Sequence, residues 1–327
     1  MADSPAGCGL TERPWISSQG QVMRRLELHL TYTCPERCVF CSEEHRMDRY
    51  KAFPVTWGRV ATVLRTMAER GVDSVHLTGG EPTIHPRFVQ VCALAKKLGM
   101  RTSIGTIGTM LSREDFARKA LPVLDEALFS LHGPDAATHD PLAGRDGSFE
   151  RVTRAIETCV RLDPDFGAFV NTVVTRRNVD QLPDTVALAD RLGARLIVVS
   201  NTTPEGGGLD HYSDLAVPLT RLAEVLPVAA ARAERAVVRF FAVPLCVLGD
   251  RWTLSNDLHW DPRVTVEWQD QPGKVVFDGI YSWDPGRNRV QTETCEPCER
   301  KGVCFGVFDR YVALWGDSEL RPLNPIR

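Results

Sequence analysis

Thr33-Cys34-Pro35-Glu36-Arg37-Cys38-Val39-Phe40-Cys41 places three cysteines in eight residues, spaced C-x3-C-x2-C. Just upstream, Leu26, Leu28 and Leu30 alternate along the chain, the pattern of a buried strand. A strand therefore ends by delivering three thiols into one tight loop. A cubane [4Fe–4S] cluster normally takes four cysteine ligands, so three leave one iron open to a small molecule. Zinc sites usually pair a C-x2–4-C with a second pair of ligands, and none lies nearby in the chain. Three unrelated core thiols are the remaining alternative.

A second stretch bears on the choice. Ser74-Val75-His76-Leu77-Thr78 reads as a short strand that runs into Gly79-Gly80-Glu81-Pro82-Thr83. Paired glycines let the backbone approach a ligand where a Cβ would clash. The Glu81 carboxylate and freed carbonyls are suited to accept hydrogen bonds from an ammonium group. Pro82 cannot continue the strand. Taken alone this is an ordinary turn between a strand and a helix. Its place, one such unit after the cysteine loop and on the same rim, gives it weight, because active sites of parallel α/β barrels form on that rim.

The pair C-x3-C-x2-C and Gly79-Gly80-Glu81-Pro82, with Phe40 just before the third cysteine, resembles the radical S-adenosylmethionine (radical SAM) enzymes over roughly residues 24 to 202. The resemblance implies a partial (β/α)6 TIM-like barrel. It implies that Cys34, Cys38 and Cys41 hold a catalytic [4Fe–4S] cluster and that Gly79, Gly80, Glu81 and Pro82 bind the methionine part of SAM. It implies an electron donor of the flavodoxin or ferredoxin type, and cleavage of SAM to a 5′-deoxyadenosyl radical that abstracts hydrogen from a substrate. Thr106 stands where relatives often carry Thr-Asn-Gly, here Thr106-Ile107-Gly108. Ser130 and Asn171, at strand ends, are further candidate contacts to SAM; each is equally a satisfied strand-end polar group. His132 is read as either a rim ligand or a turn residue.

The rest of the chain repeats strand then helix. Strands are expected near residues 26–30, 74–78, 101–104, 126–131, 166–174 and 196–199. Helices are expected over 56–70, from 86 to 98, 113–120, 149–162 and 182–192. The repetition argues for an α/β fold with a parallel sheet. After Ser200 the texture changes. Thr203 to Gly208 reads as a flexible loop, followed by a helix over 219–235, a strand over 237–241, a hairpin around Gln271-Pro272-Gly273 and a last helix near 307–314. The expected division is an arm over 1–22, a core over 23–215 and a smaller cysteine-rich region over 216–327.

That last region holds Cys295-x2-Cys298-x5-Cys304, with Cys246 upstream. Four cysteines suffice for a fully ligated second [4Fe–4S] cluster or for a structural zinc. The arrangement resembles the twitch and SPASM auxiliary-cluster domains that follow many radical SAM cores, which favours iron–sulfur. Cys8, Cys92 and Cys159 read as incidental or core thiols.

Composition excludes several classes. With 43% hydrophobic and 25% charged residues, the chain is an ordinary globular one. A formal charge of −3 lacks the basic footprint of a nucleic-acid binder. No stretch has the apolar length to span a bilayer. Ten cysteines without a secretory signal argue for reduced thiols and metal ligands, hence a cytoplasmic protein. The expected substrate is a small molecule or a peptide. The short arm before the first strand tilts this toward a small molecule, or a peptide delivered by a separate protein. The competing reading is a non-catalytic iron–sulfur carrier or sensor, against which the Gly79–Pro82 turn argues.

Overall fold

Alternating or continuous runs of Leu, Val, Ile and Thr form the strands, and they fall close to the expected places. In the computed structural model, which describes residues 15–17, 20–50, 55–266, 281–282 and 286–323, these are β1 (Arg25–Thr31), β2 (Ser74–Gly79), β3 (Arg101–Thr106), β4 (Glu126–Ser130), β5 (Gly167–Val174), β6 (Leu196–Asn201), β7 (Val237–Phe241), β8 (Arg263–Val266) and β9 (Tyr281–Ser282). Their order in the sheet is β7-β6-β5-β4-β3-β2-β1-β8-β9. The first eight are mutually parallel and β9 is antiparallel to β8.

Parallel pairing needs a crossover between strands, and helices supply it. Trp57–Glu69, Phe88–Lys97, Glu114–Ala120, Ser148–Leu162, Leu182–Arg191 and Leu219–Ala230 do this. The first starts where Thr56 accepts a hydrogen bond from the Arg59 amide at 3.5 Å, an N-cap. Each helix turns an apolar face to the sheet, as Val60, Val63, Leu64 and Met67 do with no exposed surface. Cys92 and Cys159 are buried in this layer as core thiols.

Three strands beyond the expected six extend the sheet. β7 pairs with β6, β8 with β1 and β9 with β8, so hydrogen bonding runs on past residue 215. Phe241, at the end of β7, stacks on Trp260 with centroids 6.1 Å apart, and Arg263, at the start of β8, lies 4.1 Å over the same ring. Side chains thus close the gap between the two flanks, and the sheet forms a partial barrel. Val264 to Val266 of the expected hairpin lies in β8. Its turn and second strand, like Cys8, lie outside the described residues.

Other expectations are corrected. The helix expected over 219–235 ends at Ala230. Residues 307 and 308 are not helical: they form β11 (Val307–Phe308), antiparallel to β10 (Arg289–Val290), and the last helix is Asp309–Trp315. Between β4 and the helix Ser148–Leu162, where the sequence gives no expected helix, Ala136–Ala143 forms one, capped where Asp135 accepts from the Thr138 amide at 2.8 Å.

Candidate active site

The cysteine loop leaves the end of β1, and its three thiols all line a cavity of about 470 Å³ at the carboxyl-terminal rim of the sheet. The loop is pinned from outside. The Arg37 and Val39 amides donate to the carbonyls of Ala143 and Leu142 at 3.1 and 3.0 Å. Burial pushes the Cys34 thiol up to about 12 and the Cys41 thiol to about 11, with backbone amides near each pulling the other way. Such thiols are protonated at neutral pH unless a metal draws off the proton. Among the described residues no three Cys, His, Asp or Glu side chains converge on one metal ion. Three soft thiol donors lining one cavity fit an iron–sulfur cluster that keeps one position open.

The Gly79–Pro82 turn is hydrogen-bonded to the strand that carries the cysteines. The Gly80 amide donates to the Thr31 carbonyl at 2.7 Å and the Glu81 amide to the Thr33 carbonyl at 2.9 Å. A Cβ on Gly79 would sit 2.3 Å from the Thr31 oxygen, and Gly79 has φ +104°. Only glycine accepts both conditions. The glycines therefore serve first to bring two strand ends together, and both also line the cavity.

Glu81 is placed differently from the expectation of a carboxylate facing a ligand. It has no exposed surface. It accepts from the Ile107 amide at 2.8 Å, the Thr83 amide at 3.1 Å, the Thr83 hydroxyl, and the Thr106 hydroxyl at 2.8 Å. Burial raises its pKa, and these donors oppose the rise. Its side chain locks the ends of β2 and β3 together. Thr106 is likewise engaged, also accepting from the Gly108 amide at 3.0 Å.

Ser130 and Asn171 line the cavity. Asn171 Oδ1 accepts from the Ser200 hydroxyl at 2.6 Å, which orients the amide. His132 lines it too. Its Nδ1 accepts from the Val173 amide at 3.2 Å, and its ring meets Phe40 edge-on at 4.7 Å. Burial holds this imidazole well below its ordinary pKa, so at neutral pH it is uncharged.

Two supports of the cysteine loop went unrecognised in the sequence. One is Gly206-Gly207-Gly208, read as a flexible loop. A Cβ on Gly206 would fall 2.4 Å from the Cys41 carbonyl oxygen, and the Gly207 amide donates to that oxygen at 2.9 Å. The other is a buried chain of polar groups. The His132 amide donates to His139 Nδ1 at 2.9 Å, His139 Nε2 meets the Ser148 hydroxyl at 3.3 Å, and that hydroxyl meets Glu36. Triple glycine was the available signal for the first; nothing in the spacing of the second marks it.

A family model described as the radical SAM superfamily matches residues 28–189, the span that carries the cysteine loop and the Gly79–Pro82 turn. The chain belongs to the radical SAM superfamily. It is 31% identical over 210 residues to a PqqA peptide cyclase of Rhodopseudomonas palustris, covering 64% of this chain and 54% of that one. To the PqqA peptide cyclase of Methylocella silvestris it is 32% identical over 190 residues, covering 57% and 49%. The chain thus spans about half the length of the curated relatives it matches. Among solved structures, Streptococcus suis SuiB bound to S-adenosylmethionine shares the fold at TM-score 0.60 and 16% identity, over 92% of this chain and 76% of that one.

Beyond the radical SAM core, Cys246, Cys295, Cys298 and Cys304 line one small cavity. Cys246 lies on the short helix Leu245–Leu248 that follows β7. The other three lie between β10 and the end of β11, and the Gly306 amide donates to Cys304 Sγ at 3.3 Å. Burial pushes the Cys246 thiol up to about 11. Arg289 of β10 forms a buried ion pair with Asp257 at 2.6 Å, and Asp257 also accepts from the Ala242 amide at 3.2 Å. That pair ties β10, next to the box, to Ala242 at the end of β7, just before the helix that carries Cys246.

Proposed function

We propose that this radical SAM protein acts on a peptide, holding one catalytic and one auxiliary [4Fe–4S] cluster in the expected core (23–215) and cysteine-rich region (216–327). The observation that carries the catalytic half is the single rim cavity lined by Cys34, Cys38, Cys41, Gly79 and Gly80, two motifs tied by backbone hydrogen bonds. When loaded, the first cluster supplies the electron that cleaves SAM to methionine and a 5′-deoxyadenosyl radical. The protein's part is to position and to exclude water. The three cysteines hold the cluster; Gly79 and Gly80 offer backbone to the methionine end; Ser130 and Asn171 offer polar contacts along the rim. Pro82 is buried at the start of the short 3-10 turn Pro82–Ile84 and keeps its shape.

A peptide substrate is favoured by the relatives, which are named peptide cyclases, and by a SuiB structure bound to the precursor peptide SuiA, which shares the fold at TM-score 0.59. A second cavity of about 710 Å³ opens beside the first and shares Ser42, Arg46 and Glu205 with it, room for chain flanking a reacting residue. The auxiliary cluster is supported by four thiols around one cavity, the ligand number that a cubane takes. A flavodoxin- or ferredoxin-type protein is the proposed electron donor. Reduced, reconstituted protein should release 5′-deoxyadenosine from SAM. Replacing Cys34, Cys38 and Cys41 together with Ala should abolish this and remove about half of the iron. Full SAM cleavage by the triple variant would falsify the assignment; no 5′-deoxyadenosine from the reduced, intact protein would leave a carrier or sensor as the alternative.

A further inference from the structure

The cysteine loop has two sides. Its thiols line the rim cavity, while Thr33 and Arg37 are exposed on the outside. Three arginines gather there. Arg37 donates to the carbonyls of Cys34 and Glu36 at 3.4 and 3.2 Å, and Arg145 donates to that of Pro35 at 2.7 Å. Arg151 lies 3.6 Å from the buried Glu36 carboxylate. Arg151 is the one that faces the Glu36 carboxyl. Arg37 and Arg145 donate to backbone carbonyls, so two guanidinium groups stand at the outer side of the loop. The whole chain is formally −3, so this is a local concentration, not the outcome of a basic protein.

We propose that this outer face is the docking surface of a small acidic one-electron carrier, with Arg37 and Arg145 as its charge contacts. The inference rests on the reading above, because only a redox-active cluster needs an electron from outside. Electron tunnelling falls steeply with distance, and at Thr33 and Arg37 the loop that holds the cluster ligands is itself exposed. Guanidinium groups suit planar carboxylates in two-point contacts, and opposite charge speeds and orients encounter. Nucleic acid is the lesser fit, since it calls for a basic stripe.

The test uses holoprotein mixed with flavodoxin hydroquinone, following cluster bleaching and flavin oxidation by stopped flow. Dithionite reduction of the same sample is the reference, so that cluster content cancels in the ratio. The pair Arg37→Gln with Arg145→Gln should lower that ratio about tenfold at low salt. The wild-type flavodoxin rate should fall as salt rises from roughly 0.05 to 0.3 M, as screening shortens the reach of charge, and the variant's should be nearly flat. Binding of oxidised flavodoxin, read by flavin fluorescence anisotropy, should weaken in parallel. An unchanged ratio overturns the proposal, as does failure of both flavodoxin and ferredoxin to reduce wild type that dithionite reduces. If the variants lose iron, a wild-type rate indifferent to salt overturns it as well. Failure of the underlying reading looks different: dithionite-reduced wild type would leave SAM intact whatever the carrier did.

Discussion

Glu81 shows how a residue expected at a ligand can serve the frame around it. Its carboxylate can only accept hydrogen bonds when ionised, and it is met by donors from Thr83, Thr106 and Ile107. Glu81→Gln keeps the shape but sets an amide N–H₂ against those donors. A buried mismatch of this kind costs about 1–3 kcal/mol. The variant should therefore unfold at lower denaturant concentration than wild type and bind SAM more weakly, with its iron retained. Wild-type stability together with lost SAM affinity would show instead that the carboxylate turns toward the ligand. Cys298→Ala tests the other end of the chain. Removing one thiol from a site that forms together with its fold should lower both iron and solubility, while SAM cleavage is reduced but not absent.

At the level of elements, the join between β1 and β8 depends on charge. Burial by itself would push the Glu27 carboxyl up, but Arg263, 2.7 Å away, with His76 and His29, brings it down to about 2. A depressed carboxyl contributes its full stability above its unfolded value, about 4.3, and loses it as pH falls through the folded one. The join should thus weaken between about pH 4 and 2, by on the order of 2 kcal/mol. Unfolding curves of Glu27→Gln and wild type should differ at pH 6 and converge near pH 2; a constant gap would show that the pair contributes nothing. The sequence made the six core strands and the two rim motifs legible because each rests on local signals: alternation, a glycine pair, close-spaced cysteines. β7 and β8 read as strands but not as parts of the barrel: β8 pairs with β1 from the far end of the chain, and β7 follows β6 only after the long glycine-rich and helical stretch where the texture of the sequence changes. The 203–208 stretch was misread for the same reason. Its glycines looked like slack, yet their small size lets the backbone close on Cys41.

For the molecule as a whole, the two cysteine sites predict its metal content. Iron and sulfide analysis with Mössbauer spectroscopy should find two cubanes, about eight irons per chain. About four irons with one zinc would leave a structural zinc tail in place of the auxiliary cluster. The way the first loop is pinned also bears on how the protein comes into being. Cys34, Cys38 and Cys41 leave the ribosome early, but the backbone contacts that shape their loop come from Leu142, Ala143 and Gly207. A nascent chain that has not yet reached Gly207 has the ligands without the mould, since domains fold as units during synthesis. Cluster insertion is then a late event, and the nascent cysteines must be kept reduced until β6 is in place. Chains truncated after residue 190 should fail to retain iron on reconstitution, whereas chains extending past residue 245 should retain the first cluster.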